Sequence, residues 1–223
     1  MIDLTPLGDR AFLARFATES EAQAWGEAVR RRGWPGVIEV TVAYASAAVF
    51  ADSDRVDLEA LERVLRTIEP GPTISFNGRL IRVPVLYDGP DLGEVAGRVG
   101  LPHASLIEEH SGRDYKVYAI GFQPGFPYAG YLEGRLAGLP RLASPRPRVP
   151  AGSVAIAGRQ TGIYPRATPG GWLLLGRTPA RIVDLERGEF PIRVGDRLRF
   201  EPIGPGAYRD RLGEGLVADE TEG

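Results

Sequence analysis

Between Gly121 and Pro179 the chain reads GFQPGFPYAGYLEGRLAGLPRLASPRPRVPAGSVAIAGRQTGIYPRATPGGWLLLGRTP, and no other stretch limits the fold so strongly. Glycine or proline recurs every few residues, which excludes long helices and long uninterrupted strands. A solvated linker is excluded as well. Phe122, Phe126, Tyr128, Tyr131, Tyr164 and Trp172 are interleaved with the turn formers, and a linker has no core for such rings to fill. What remains is a packed region of short hydrophobic strands joined by crowded loops, the composition of a β-barrel's mouth. This stretch is the expected functional surface.

The chain ahead of it reads as a small α+β domain. Residues 2–5 and 11–16 are strand-like around a Gly8-Asp9 turn,. Thr18 and Glu21 have capping-box spacing, followed by Ala22, Trp25, Ala28 and Val29 at helical spacing and by Gly33 as a stop,. Strands are expected at 37–42 and 46–50. A second helix opens at Asp57 with the apolar stripe Leu58, Leu61, Val64, Leu65 and Ile68,. The order is ββαββα, enough for a small sheet covered on one face by two helices. Pro70-Gly71-Pro72 marks a boundary, giving an N-terminal domain over 1–72, a second over 73–206 and a frayed tail over 207–223.

In the second domain, Asn77-Gly78 between TISF and LIRVPVLY predicts a hairpin,. Asp91 and Glu94 suggest another capping box, on a short helix ending near Gly100, and a further helix is expected over 103–110. Strands are predicted at 114–120, 153–157, 172–176, 181–185 and 197–200. Many short strands separated by turn signals predict a barrel or a sandwich.

The formal net charge of −2 gives no nucleic-acid footprint,. No run of about 18 apolar residues suggests a membrane span, and the N-terminus carries no secretory signal pattern. The absence of cysteine excludes disulfides and thiolate chemistry,. Together these predict a cytoplasmic protein. His103 and His110 lack the spacing of a metal site, so no metal is expected. The only lysine, Lys116, has no P-loop context, and Ser153 is not in a nucleophile elbow,. His110 is either an acid/base group or a surface histidine near a helix C-terminus, where the dipole favours its charge. Arg146, Arg148, Arg159, Arg166 and Arg177 could clamp an anion or form a solvated surface. Phe122, Phe126, Tyr128 and Trp172 are read as interface more than core.

Three runs then carry a resemblance: His110-Ser111 with Tyr115-Lys116-Val117-Tyr118 and Gly121-Phe122-Gln123-Pro124-Gly125-Phe126; Pro140-Arg141 with Pro147 to Gly158; and Gln160 to Pro165 with Pro169-Gly170-Gly171-Trp172 and Gly176 to Pro179. They resemble the 5-oxoprolinase B-subunit family (PxpB, KipI, also called allophanate hydrolase subunit 1), over nearly the whole chain. The resemblance implies a DCoH- or ferredoxin-like N-terminal domain and a cyclophilin-like barrel. It implies a C subunit (KipA- or PxpC-like) and an A subunit (PxpA-like) as partners in ATP-dependent opening of 5-oxo-L-proline to L-glutamate. ATP with Mg would act in the assembled complex, with none held tightly by this chain, which is expected to be inactive alone. Inhibition of a sensor histidine kinase, or a carboxyltransferase role like that in urea carboxylase, are the alternatives. By motif position, His110, Arg148 and Tyr164 are the expected catalytic residues. Gln160, Thr161, Gly170, Gly171 and Arg177 are expected to bind substrate or anion, and Phe122, Pro124, Phe126 and Trp172 to meet the partner.

Overall fold

A computed structural model describes residues 2–71 and 78–219. The chain divides into two compact units, with the break between positions 76 and 77. The hairpin expected around Asn77-Gly78 falls largely outside the described residues, as does the last proline of the Pro-Gly-Pro stop.

In the first unit β1 (Asp3–Pro6), β2 (Ala11–Arg15), α1 (Glu19–Arg32), β3 (Val37–Ala43), β4 (Ser46–Ala51) and α2 (Leu58–Leu65) follow one another. The sheet has the order β1-β2-β4-β3, and every neighbouring pair is antiparallel. The Thr18 side chain accepts from the Glu21 backbone while the Glu21 carboxylate returns to the Thr18 N–H, so both halves of the capping box form,. Gly33 ends α1 in the left-handed conformation at φ 57°,. Trp25 and Val29 of α1 and Leu61 and Leu65 of α2 are buried with Val40, Val42 and Val49 in one core.

The second unit is organised by β5 (Leu80–Val85), β6 (Asp114–Ile120), β7 (Pro127–Gly130), β8 (Arg146–Val149), β9 (Ser153–Ala157), β10 (Gln160–Ile163), β11 (Thr168–Gly170), β12 (Leu173–Arg177) and β13 (Arg197–Pro202). Seven of these strands form one sheet in the order β12-β9-β10-β7-β6-β13-β5. Its two ends meet where Leu86 and Arg177 exchange backbone hydrogen bonds of 2.9 Å, so the sheet is a nearly closed barrel. Strands β8 and β11 form a separate ribbon. Helices α3 (Leu92–Val99) and α4 (His103–Ser111) pack on β12 and β13 respectively.

Strand β9 shows how one strand serves two cores. All five of its residues are buried, and alternation sends Val154 and Ile156 into the barrel interior and Ala155 and Ala157 toward a second, aromatic cluster,. Leu173 and Leu175 of β12 face the interior, while Leu174 joins the aromatic cluster.

Three local expectations are corrected. Residues 181–185 make only isolated bridges at Arg181 and Asp184, because Gly188 and Pro191 leave no room for a continued ladder. Asp91 gives α3 no side-chain cap; its carboxylate is taken by tertiary partners described below. The tail does not fray through residue 219. It forms α5 (Pro205–Asp210) and then returns to the barrel, where Asp219 N–H donates to Leu80 O at 2.8 Å and its carboxylate pairs with Arg82 at 3.0 Å.

Candidate functional site

The site begins with a doubly bent turn. Phe126 N–H donates to Gln123 O at 3.1 Å, with Pro124 second and Gly125 third at φ 79°, which is a type II turn. Gln123 N–H also donates to Gly121 O at 2.7 Å. That second bond closes a three-residue turn with Phe122 in the middle at φ 68°, a region costly for a side chain of this size. A Cβ at Gly125 would meet the Val183 side chain, so glycine is required there twice over. The double bend separates two rings four residues apart: Phe122 stands 59% exposed on the rim and Phe126 is buried beneath it.

Around Phe126 the rings meet edge to face, with Tyr128 at 5.0 Å, Tyr164 at 5.2 Å and Trp172 at 5.4 Å between centroids,. The small side chains of Ala155 and Ala157 leave the space these rings fill. Above them lies an open cleft of about 310 Å³, walled by Phe122, Tyr128, Leu142, Pro145, Gly170 and Gly171, with Arg141 as its charged member. Gly170 lies against the Tyr164 ring and hydroxyl, where a Cβ would collide. Desolvation holds the Tyr164 phenol above its ordinary pKa, against the opposing Trp172 backbone hydrogen bond and the charges of Arg141 and Arg146. Burial likewise raises Tyr128, with Arg141 opposing.

The floor is braced from behind. The Asp91 carboxylate accepts from Leu174 N–H at 2.6 Å and from the Arg146 guanidinium at 2.5 Å. Arg146 also donates to Trp172 O at 3.4 Å. A nearly buried carboxylate satisfied by tertiary donors has no need of the helix N-terminus, which explains the missing cap.

The predicted residues divide. Tyr164, Gly170, Gly171, Phe122, Phe126 and Trp172 meet at the cleft. Phe126 and Trp172, expected as interface, are 1% and 5% exposed and form its floor; Pro124 is exposed on the turn beyond it. Arg148 is exposed on β8 and does not line the cleft. Arg177 pairs with Asp88 at 2.7 Å and lies over the Tyr208 ring. Gln160 is half-buried at the start of β10.

His110 is in the last turn of α4, near the helix C-terminus as expected, but it is buried and not on the surface. It lies one turn after Leu106 on the inward face of α4, fully buried in the barrel and stacked 4.7 Å from Phe200. Its Nδ1 lies 2.7 Å from the Tyr87 hydroxyl and its Nε2 2.9 Å from Thr161 Oγ1. Thr161 donates its proton to Ala155 O at 3.2 Å, so its oxygen accepts from Nε2–H and Tyr87 donates to Nδ1. Desolvation lowers the imidazole pKa to about 3, so the ring is uncharged at neutral pH. The resemblance pointed to Tyr164 and the glycines and included Pro140-Arg141 among its motifs, without giving Arg141 a role; nothing in the sequence singled out Leu142, which carries no spacing signal.

Among the described residues, no group of three or more His, Cys, Asp or Glu is placed to hold a metal ion. No helix among them is long and apolar enough to cross a membrane.

The chain matches the family described as carboxyltransferase domain, subdomain C and D, over residues 2–192. It is 42% identical to the B subunit of 5-oxoprolinase from Escherichia coli O157:H7, covering 82% of this chain and 86% of that one. It is 38% identical to the protein of the same name from Bacillus subtilis, covering 91% and 93%. The crystal structure of TTHA0988 superposes with a TM-score of 0.78 at 41% identity over 88% of this chain, which spans 40% of that longer chain. Urea amidolyase of K. lactis shares the fold at 17% identity, with a TM-score of 0.78 over 99% of this chain and 16% of that one.

Proposed function

The chain belongs to the 5-oxoprolinase B-subunit family, and on that premise we propose that it is the B component of an ATP-dependent enzyme opening 5-oxo-L-proline to L-glutamate with A and C subunits. The observation that carries this reading is the composition of the cleft. Its lining offers aromatic faces, glycine backbone and one guanidinium, and no serine, cysteine, histidine, carboxylate or lysine. Such a surface binds and orients a small molecule, but its only acid/base candidates are the Tyr128 and Tyr164 phenols, which burial keeps protonated, so this reading has a second polypeptide supply the base. The relatives' shared designation as a subunit agrees with that need.

No lysine-bearing phosphate loop supports a triphosphate site on this chain. The sole lysine lies within β6, its Nζ 5.3 Å from the centre of the Tyr118 ring, far from the phosphate-cradling arrangement of a glycine loop opening a helix. We therefore assign ATP and its Mg to the partner subunits, and the assembly to the cytoplasm, where ATP is supplied. The finer fold names belong to the same proposal. An antiparallel four-stranded ββαββα unit suits the DCoH-like type, since the ferredoxin-like type runs βαββαβ, and the nearly closed barrel suits the cyclophilin-like type.

The test is reconstitution. Glutamate release from 5-oxoproline and ATP-Mg is measured with A and C subunits, with and without this chain. Release is expected only with all three, and none from this chain alone. Equal release from A and C without it overturns the reading. The carboxyltransferase alternative predicts carboxyl transfer to or from a biotinylated carrier in place of ring opening.

A further inference from the structure

We propose that the aromatic cleft is the 5-oxoproline subsite of this chain and that Arg141 is the residue that takes the substrate's carboxylate. The inference rests on the 5-oxoprolinase reading and adds to it a place and a recognition residue.

Arg141 is the one charged side chain in the cleft lining, and among the described residues no carboxylate lies within ion-pair distance of it. Other arginines of the same stretch are engaged or lie outside the cleft: Arg146 pairs with Asp91, Arg177 with Asp88, Arg159 lies over the Tyr131 ring at 4.7 Å, and Arg148 and Arg166 are exposed and not in the lining. An unpaired guanidinium at the edge of an apolar hollow is suited to a carboxylate, which it meets with two parallel N–H donors.

The hollow itself suits the rest of the molecule. A five-membered lactam is a small, nearly flat ring, and edge-to-face packing of Phe126 with Tyr164 and Trp172 fixes aromatic walls that do not have to reorganise to receive it,. At about 310 Å³ and open to solvent, the cleft has room for the ring and for a group delivered by another subunit. Aromatic contact alone would not separate 5-oxoproline from other small rings. The carboxylate contact supplies that discrimination, because binding a ligand without it leaves the guanidinium unmatched.

Two substitutions test the subsite without disturbing the fold. Arg141 is exposed, so Arg141→Gln removes charge alone. Gly171 has no left-handed φ, and a Cβ there would make only ordinary contacts, the nearest at 3.7 Å, so Gly171→Val fills the cleft and keeps the charge. In the reconstituted A, B and C complex, Arg141→Gln is expected to raise KM for 5-oxoproline by about ten-fold to a hundred-fold, the range for one charge-assisted contact, with kcat within a few-fold. It should also abolish the preference for 5-oxoproline over its carboxamide as a competing ligand, a readout that a structural role would not move. Gly171→Val should weaken both ligands alike. Direct binding of 5-oxoproline to the isolated chain, followed by NMR shifts at Trp172, is expected to weaken in parallel.

Wild-type KM and wild-type carboxylate preference in Arg141→Gln would overturn the inference while leaving the assignment to the complex standing, provided that omission of the chain still abolishes glutamate release. Release that persists without the chain would instead remove the reading beneath it.

Discussion

His110 shows how far a residue's chemistry depends on what surrounds it. Free histidine titrates near neutrality, but here burial favours the neutral ring and holds its pKa down to about 3,. On unfolding the ring regains its ordinary value. Its contribution to stability is therefore complete above about pH 6.5 and is lost progressively as pH falls toward about 3, at about 1.4 kcal/mol per pH unit. Urea unfolding of the wild type between pH 6 and pH 4 should show this slope. His110→Asn should be less stable at pH 7, because Tyr87 and Thr161 lose partners, and should lack that part of the slope. The same protonation state predicts that no limb of the pH–rate profile near neutrality belongs to His110. Arg141 illustrates the converse: a motif residue without a role by sequence, it is set apart by its place in the cleft lining with no carboxylate paired to it.

Elements in this chain are fixed by local chemistry only where no tertiary competitor intervenes. Thr18 and Glu21 close their capping box because nothing else claims them. Asp91, in a comparable sequence setting, is claimed by Leu174 N–H and Arg146. The turn from Gly121 to Phe126 is the element on which the cleft depends. Gly125→Ala places a Cβ in the left-handed region and against Val183. It should destabilise the barrel unit by about 1–3 kcal/mol and lower turnover by displacing Phe122 and Phe126, while the helix content of the first unit stays unchanged. Thermal unfolding together with turnover in the reconstituted complex checks this; unaltered values for both would show that the turn tolerates a side chain.

At the scale of the molecule, the two units have separate cores. Leu61 and Leu65 pack with Trp25 in one, and Val154, Ile156 and Phe200 lie in the other. Leu61→Ala should cost about 2–5 kcal/mol in the first unit. The tryptophans can follow this. The buried Trp25 Nε1 has no hydrogen-bond partner, so Trp25→Phe discards no bond and, with Trp34→Phe, leaves Trp172 as the reporter of the cleft. In that background Leu61→Ala should shift the far-UV unfolding curve and leave the Trp172 curve nearly unmoved. Coincident shifts of both would make the two cores one cooperative unit.

The amino-acid sequence by itself determined what depends on near neighbours. The ββαββα order, the caps at Thr18, Gly33 and Asp57, and most of the longer strands follow from periodicity and capping within a few residues. The family motifs also located Tyr164, Gly170 and Gly171. Only the tertiary structure decided the short strands β7, β8, β10 and β11, whose glycine and proline content hides them until partners are in register. It also decided the docked tail, the interior place of His110, and which arginine lines the cleft. The physical reason is common to these cases. Desolvation, ion pairing and the alternation of β9 between two cores are set by residues tens of positions away in the chain, and a local reading has no access to those distances.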